Sequence, residues 1–143
     1  QSIIDTIEQH ARSLAFTTAP PPAIAAATLA SLRCIQNHPE LNATLHHNLQ
    51  YIRKHAVPLG LNIKVSETPI IYAPTGASHT ALQWAKDLKE HGIWTHPVRT
   101  PSVPQHQAGL RITLSALHTE THLDQLLEAL HATQPKTVLA HSY

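Results

Sequence analysis

Gly109-Leu110-Arg111-Ile112-Thr113-Leu114 alternates apolar and polar side chains with period two, the pattern of a strand that buries one face. Arg111 stands between Leu110 and Ile112 in an otherwise weakly charged segment. A strand holds such a side chain rigidly, and its planar fork binds a carboxylate through two parallel hydrogen bonds. Periodicity alone leaves a salt bridge or an exposed sheet position equally open. Upstream lies a proline-stiffened loop, Arg99-Thr100-Pro101-Ser102-Val103-Pro104-Gln105-His106-Gln107. Arg99 opens it, so two guanidinium groups are expected to converge on an anionic ligand, at low entropic cost because the loop is stiff.

Further out, Ile93–Val98 is strand-like, and Pro69-Ile70-Ile71-Tyr72-Ala73 is a short apolar run that predicts a buried strand. Between them Gly76–His91 reads helical, with Ala81, Leu82, Ala85 and Leu88 inside and Gly92 as the C-cap. Downstream, Thr119 caps a helix that buries Leu123, Leu126, Leu127 and Leu130. On the N-terminal side Ile3, Ile4, Ile7, Ala11 and Leu14 share one helical face. Phe16 to Pro22 is extended, because three prolines fix the backbone there. Pro22 starts an Ala-rich helix, expected to be long and largely buried, to about Gln36. A further amphipathic helix begins near Pro39, buries Leu41, Leu45, Leu49, Ile52 and Ala56, and stops at Pro58 and Gly60. This order predicts an α+β fold: a small, mostly antiparallel sheet covered by helices on one face and preceded by a long helix.

The chain has 143 residues, enough for one domain that buries roughly 68–70% of its unfolded surface. Ten Lys and Arg against nine Asp and Glu leave a formal charge of +1, which offers no field for a run of phosphates. Nucleic acid is therefore not an expected partner. No apolar run approaches the ~18–20 residues of a membrane span, and Gln1 opens no signal peptide. With one cysteine, the expected compartment is reducing and cytoplasmic. Methionine is absent, and the four glycines, at 60, 76, 92 and 109, form no phosphate-binding cluster. The chain therefore reads as part of something longer.

Thirteen histidines invite a metal hypothesis, and His118-Thr119-Glu120-Thr121-His122 has a four-residue spacing. The metalloprotease motif needs Glu directly after the first His and both His in one helix, whereas His118 precedes the Thr119 cap. No metal site is assigned. Cys34, between Leu32 and Ile35 on the Ala-rich helix, reads as a small hydrophobe. The lysines at 54, 64, 86, 89 and 136 fall on polar helix faces or loops that offer no desolvation for Schiff-base chemistry.

Three stretches in order, ARSLAFTTAPPPAIAAATLASL, SETPIIYAPTG and GIWTHPVRTPSVPQHQAGLRITLSALHTETHLDQLLEAL, resemble the C-terminal part of the α-oxoamine synthases, fold-type-I pyridoxal-phosphate enzymes. The resemblance runs to about Ala132. It implies residues 1–21 as the end of a large cofactor domain and its linker, 22–132 as the C-terminal small domain, and 133–143 as a loose tail. It also implies a homodimer that joins pimeloyl-CoA or pimeloyl-ACP to L-alanine with loss of carbon dioxide, pyridoxal 5'-phosphate serving as electron sink. Arg111 matches the arginine that clamps the amino-acid carboxylate. Thr17 and Thr18 match a hydroxyl pair that reaches the cofactor phosphate across the dimer interface. Arg99 and Ser102 align with the arginine and threonine of an I-R-P-P-T-V-P loop near the substrate.

Ser102 and Thr100 depart mildly from that loop, and Gly109 replaces the first arginine of a common A-R-L-R. The family's Schiff-base lysine would lie upstream of Gln1, so this chain carries no catalytic residue and is expected to be inactive alone. Glycine C-acetyltransferase and 5-aminolevulinate synthase share the fold and the carboxylate arginine, and Arg99 favours the pimeloyl-using member. A competing reading from another class is a free-standing, non-catalytic module that binds a small anionic metabolite through Arg99 and Arg111.

Overall fold

A computed structural model describes residues 2–135 of the chain. The chain divides between His38 and Pro39 into two compact units.

The N-terminal unit holds α1 (Ser2–His10), α2 (Arg12–Ala15) and α3 (Pro22–Asn37). The single helix expected from Ile3 to Leu14 is interrupted at Ala11, although the Ala11 N–H still donates to the Ile7 carbonyl at 2.8 Å. Residues 17–21 form no regular element, Pro21 is extended, and Pro22 starts α3 as proline suits a first helical turn. α3 corrects the expectation of burial. None of its residues is buried, and Ile24 is 59% and Ile35 61% exposed. Its small side chains permit close packing, but a composition that permits packing does not itself bury a helix. Cys34 is exposed with it.

The second unit is α4 (Pro39–Ala56), β1 (Lys64–Val65), β2 (Ile70–Gly76), α5 (Ser78–Glu90), β3 (His96–Val98), β4 (Ala108–Thr113) and α6 (Glu120–Thr133). The four strands form one antiparallel sheet in the order β1-β2-β4-β3. β2 and β3 both pair antiparallel with β4, so they run parallel to each other and are joined across it by α5. Ile71, Ala73, Leu110 and Ile112 face one way and are buried against Leu49 and Ile52 of α4, Trp84 and Leu88 of α5, and Leu123, Leu127 and Leu130 of α6. Each fully buried Leu or Ile contributes about 1.5–3 kcal/mol relative to exposure. The other sheet face carries no helix of this unit. The fold is the expected α+β layer pair.

Details differ for physical reasons. Trp84, not Leu82, completes the buried stripe of α5, because it lies between Ala81 and Leu88 at three- and four-residue steps, and Leu82 is 45% exposed. The Trp84 indole is buried with its N–H satisfied by the Thr133 hydroxyl at 2.9 Å. Leu41 is also exposed, while Asn48 is buried in α4, donating to the Ser115 and His118 carbonyls at 3.1 and 2.9 Å. β3 starts at His96 because Ile93 is spent on the end of α5, its N–H donating to the Leu88 carbonyl at 2.9 Å. β1, two residues long, is too short for any period to betray it.

α6 begins at the expected cap. The Thr119 hydroxyl accepts from the His122 N–H, and His122 Nδ1 accepts from the Thr119 N–H, a reciprocal box with histidine in the place of glutamate. His118 Nδ1 likewise accepts from the Ser115 N–H. The loose tail expected from Thr133 falls, from residue 136 on, outside the described residues. Among those described, no helix is long and apolar enough to cross a membrane.

Candidate anion site on the open sheet face

The register across the sheet decides what Arg111 meets. Lys64 stands opposite Tyr72, Tyr72 opposite Arg111, and Arg111 opposite His96. Directly opposed residues share a face, so these four side chains form one row on the face that the helices leave open. The row contains two fixed cations, one histidine and a phenol. Arg111 is exposed and has no hydrogen bond or ion pair among the described residues, so the internal salt bridge left open by the sequence is not what holds it. With no partner among the described residues, the Arg111 guanidinium keeps its N–H donors available to an external carboxylate.

His96 links that row to a pocket. A cavity of about 360 Å³ is lined by Leu82 and the stretch from His96 to Ser102, so Arg99 and Ser102 both border it. The Arg99 carbonyl accepts from the Ser102 N–H at 2.9 Å and from the Val103 N–H at 3.3 Å, which folds the loop into a tight turn just beyond β3. The Thr100–Pro101 peptide within it is cis. Arg99 and Ser102 are exposed, and neither side chain has a partner among the described residues. The loop thus lines one cavity with a guanidinium and a hydroxyl that have no partner among the described residues.

The far end of the loop is fixed by a residue that periodicity did not single out. The Tyr72 hydroxyl donates to the Gln107 carbonyl at 2.6 Å, and the Thr75 hydroxyl donates to the Ala108 carbonyl at 3.0 Å. Burial pushes the Tyr72 hydroxyl above its usual value of 10.0, so it remains a neutral donor through the physiological range. The outward alternation of Ile71, Tyr72 and Ala73 could have placed Tyr72 on the open face. Its opposition to Arg111 needed the register, which the sequence does not state.

Thr17 and Thr18 belong to the N-terminal unit and are exposed on the irregular stretch ahead of Pro20. The Thr17 hydroxyl donates to the Ser13 carbonyl, while the Thr18 hydroxyl has no partner among the described residues. Hydroxyls and backbone N–H groups on an exposed, proline-stiffened segment are a donor set that suits a phosphate group.

A class of protein follows from these features and from sequence comparison together: the chain belongs to the class I and II aminotransferase family, whose profile matches residues 1–130. Within that family it is similar to the 8-amino-7-oxononanoate synthase of Chromohalobacter salexigens, with 41% identity over 94% of this chain and 35% of that protein. The 8-amino-7-oxononanoate synthase of Francisella tularensis superposes with a TM-score of 0.74 at 26% identity, over 92% of this chain and 38% of that one. A structure of SPT with its PLP internal aldimine gives a TM-score of 0.78 at 20% identity, over 91% and 33%, and supports the fold alone. The chain spans about a third of the length of the curated relatives it matches.

Proposed function

We propose that the full-length protein carrying this chain is a pyridoxal-phosphate-dependent acyltransferase that condenses a pimeloyl thioester with L-alanine, releasing carbon dioxide, to give 8-amino-7-oxononanoate for biotin synthesis. The observation that carries this reading is Arg111, a guanidinium on the open face of β4 with no partner among the described residues, in a chain 41% identical to an 8-amino-7-oxononanoate synthase. When bound, the cofactor supplies an electron sink for bond breaking at the amino acid's Cα.

The residues of this chain bind and orient. Arg111 takes the alanine carboxylate through two parallel hydrogen bonds, which fixes the direction of the Cα substituents. Arg99 and Ser102, at the mouth of the 360 Å³ cavity, hold polar groups of the acyl partner, whether its carrier is CoA or acyl carrier protein. Thr18 donates its hydroxyl, and Thr17 its backbone N–H, to the cofactor phosphate, the Thr17 hydroxyl being engaged with the Ser13 carbonyl. The protein acts as a homodimer on this reading, these two threonines serving the neighbouring subunit. None of the four lysines described, at 54, 64, 86 and 89, is desolvated, so the Schiff-base lysine is not sought among them.

A coupled assay of the full-length protein, offering L-alanine with pimeloyl thioester against glycine with acetyl-CoA, tests the reading. Preference for the first pair is expected. Preference for the second moves the protein to another oxoamine synthase, and turnover of neither supports an anion-binding module.

A further inference from the structure

Gly109 sits where the resembling family commonly has arginine, and the structure explains what fills the space. A Cβ built at Gly109 would lie 2.6 Å from Tyr72 Cε2 and 2.8 Å from Tyr72 Cζ. The Tyr72 ring therefore lies across Gly109 on the open face, beside Arg111, its direct cross-strand partner. From there its hydroxyl reaches the Gln107 carbonyl at 2.6 Å. Gln107 is the last residue before β4, in the loop that begins at Arg99.

We infer that Tyr72 is a positioning residue for the substrate site: its ring, admitted by Gly109, walls one side of Arg111, and its hydroxyl anchors the loop that carries Arg99 and Ser102. The phenol does not touch the reacting atoms. It limits the directions Arg111 can take, and it ties the end of the 99–107 loop to β2, the strand next to β4. Gly109 and Tyr72 act as one unit, because any side chain at 109 would evict the ring. In place of a second cation, this protein has an aromatic wall and a loop anchor. The face consequently relies on Arg111 for carboxylate binding, with His96 one strand away on β3 and Lys64 two strands away on β1.

This inference rests on the acyltransferase reading of Arg111, and two measurements separate the two. In the full-length protein, Tyr72→Phe keeps the ring and removes only the hydrogen bond. We expect KM for the acyl thioester to rise about three- to tenfold, with kcat and the amino-acid KM within about twofold, the loss of one neutral hydrogen bond. Tyr72→Val, which also removes the wall, should raise KM for the amino acid as well. In the 143-residue chain, amide hydrogen exchange across residues 99–107 should quicken about fivefold in Tyr72→Phe while α6 is unchanged. Unchanged KM in both variants, or a fall in kcat alone, overturns the positioning role. If the wild-type protein turns over no thioester, the acyltransferase reading fails. Hydrogen exchange then decides the loop anchor: unaltered exchange in Tyr72→Phe overturns it, and faster exchange confined to the loop sustains it.

Discussion

Tyr72 of β2 lies across Gly109 of β4, so close that the glycine's missing Cβ would stand 2.6 Å from the tyrosine ring and 2.5 Å from the Ala73 carbonyl oxygen. The second distance is to backbone and cannot be relieved by a rotamer change. Gly109→Ala would gain about 0.5–1 kcal/mol from strand propensity but force the central β2–β4 pair apart, at a cost of about 1–3 kcal/mol for overpacking. The expected net is destabilisation, read as a lower urea midpoint at unchanged slope. A midpoint at or above that of the wild type would show that the two strands have slack.

Asn48 is the buried polar group that joins α4 to the turn preceding α6. Asn48→Ala leaves the Ser115 and His118 carbonyls without their donor, costing about 1–3 kcal/mol. Thermal unfolding measures it. Gln50→Ala, on the exposed side of the same helix, should stay within about 0.5 kcal/mol.

Alkaline pH should weaken the fold through its tyrosines. Burial raises Tyr72, and the hydrogen bond to Asp124 raises Tyr51, both from 10.0. The folded state therefore holds these protons longer than the unfolded chain. Their contribution is fully present below pH 10.0 and is lost as pH climbs from there through the folded values. Urea midpoints measured across this range should fall less steeply in Tyr72→Phe than in the wild type. Parallel curves would mean that Tyr72 ionises as freely in the folded state as in the unfolded chain.

Mixed with pyridoxal phosphate, the 143-residue chain should show no absorbance band of a lysine-bound cofactor, since Lys54, Lys64, Lys86 and Lys89 are all exposed and none is primed by burial. A stable band that resists dialysis would place a Schiff-base lysine within this chain.

How far the sequence could be read depended on what kind of signal each feature leaves. The α6 face and its Thr119 cap were legible because leucines at three- and four-residue steps and a capping residue are local signals. β4 was legible from Gly109 to Thr113 by alternation. Trp84 displaced Leu82 from the core because two neighbouring apolar residues leave the helical phase ambiguous by one position. β1 left no trace in two residues. Burial of α3 does not follow from its composition, which reports only what a helix can pack against. Arg111, Arg99 and Ser102 were found as residues, but the row Lys64–Tyr72–Arg111–His96 depends on strand register, a long-range property that no local pattern encodes.

The central claim is that Arg111 binds the amino-acid carboxylate, and steady-state kinetics of Arg111→Ala and Arg111→Lys in the full-length protein test it most directly. Losing a bidentate charged contact should lower kcat/KM for L-alanine roughly 100-fold or more, consistent with about 2–5 kcal/mol for such a pair. KM for the pimeloyl thioester should change far less, and lysine should rescue only in part because it lacks the planar fork. Unchanged kcat/KM for L-alanine in Arg111→Ala would contradict the account.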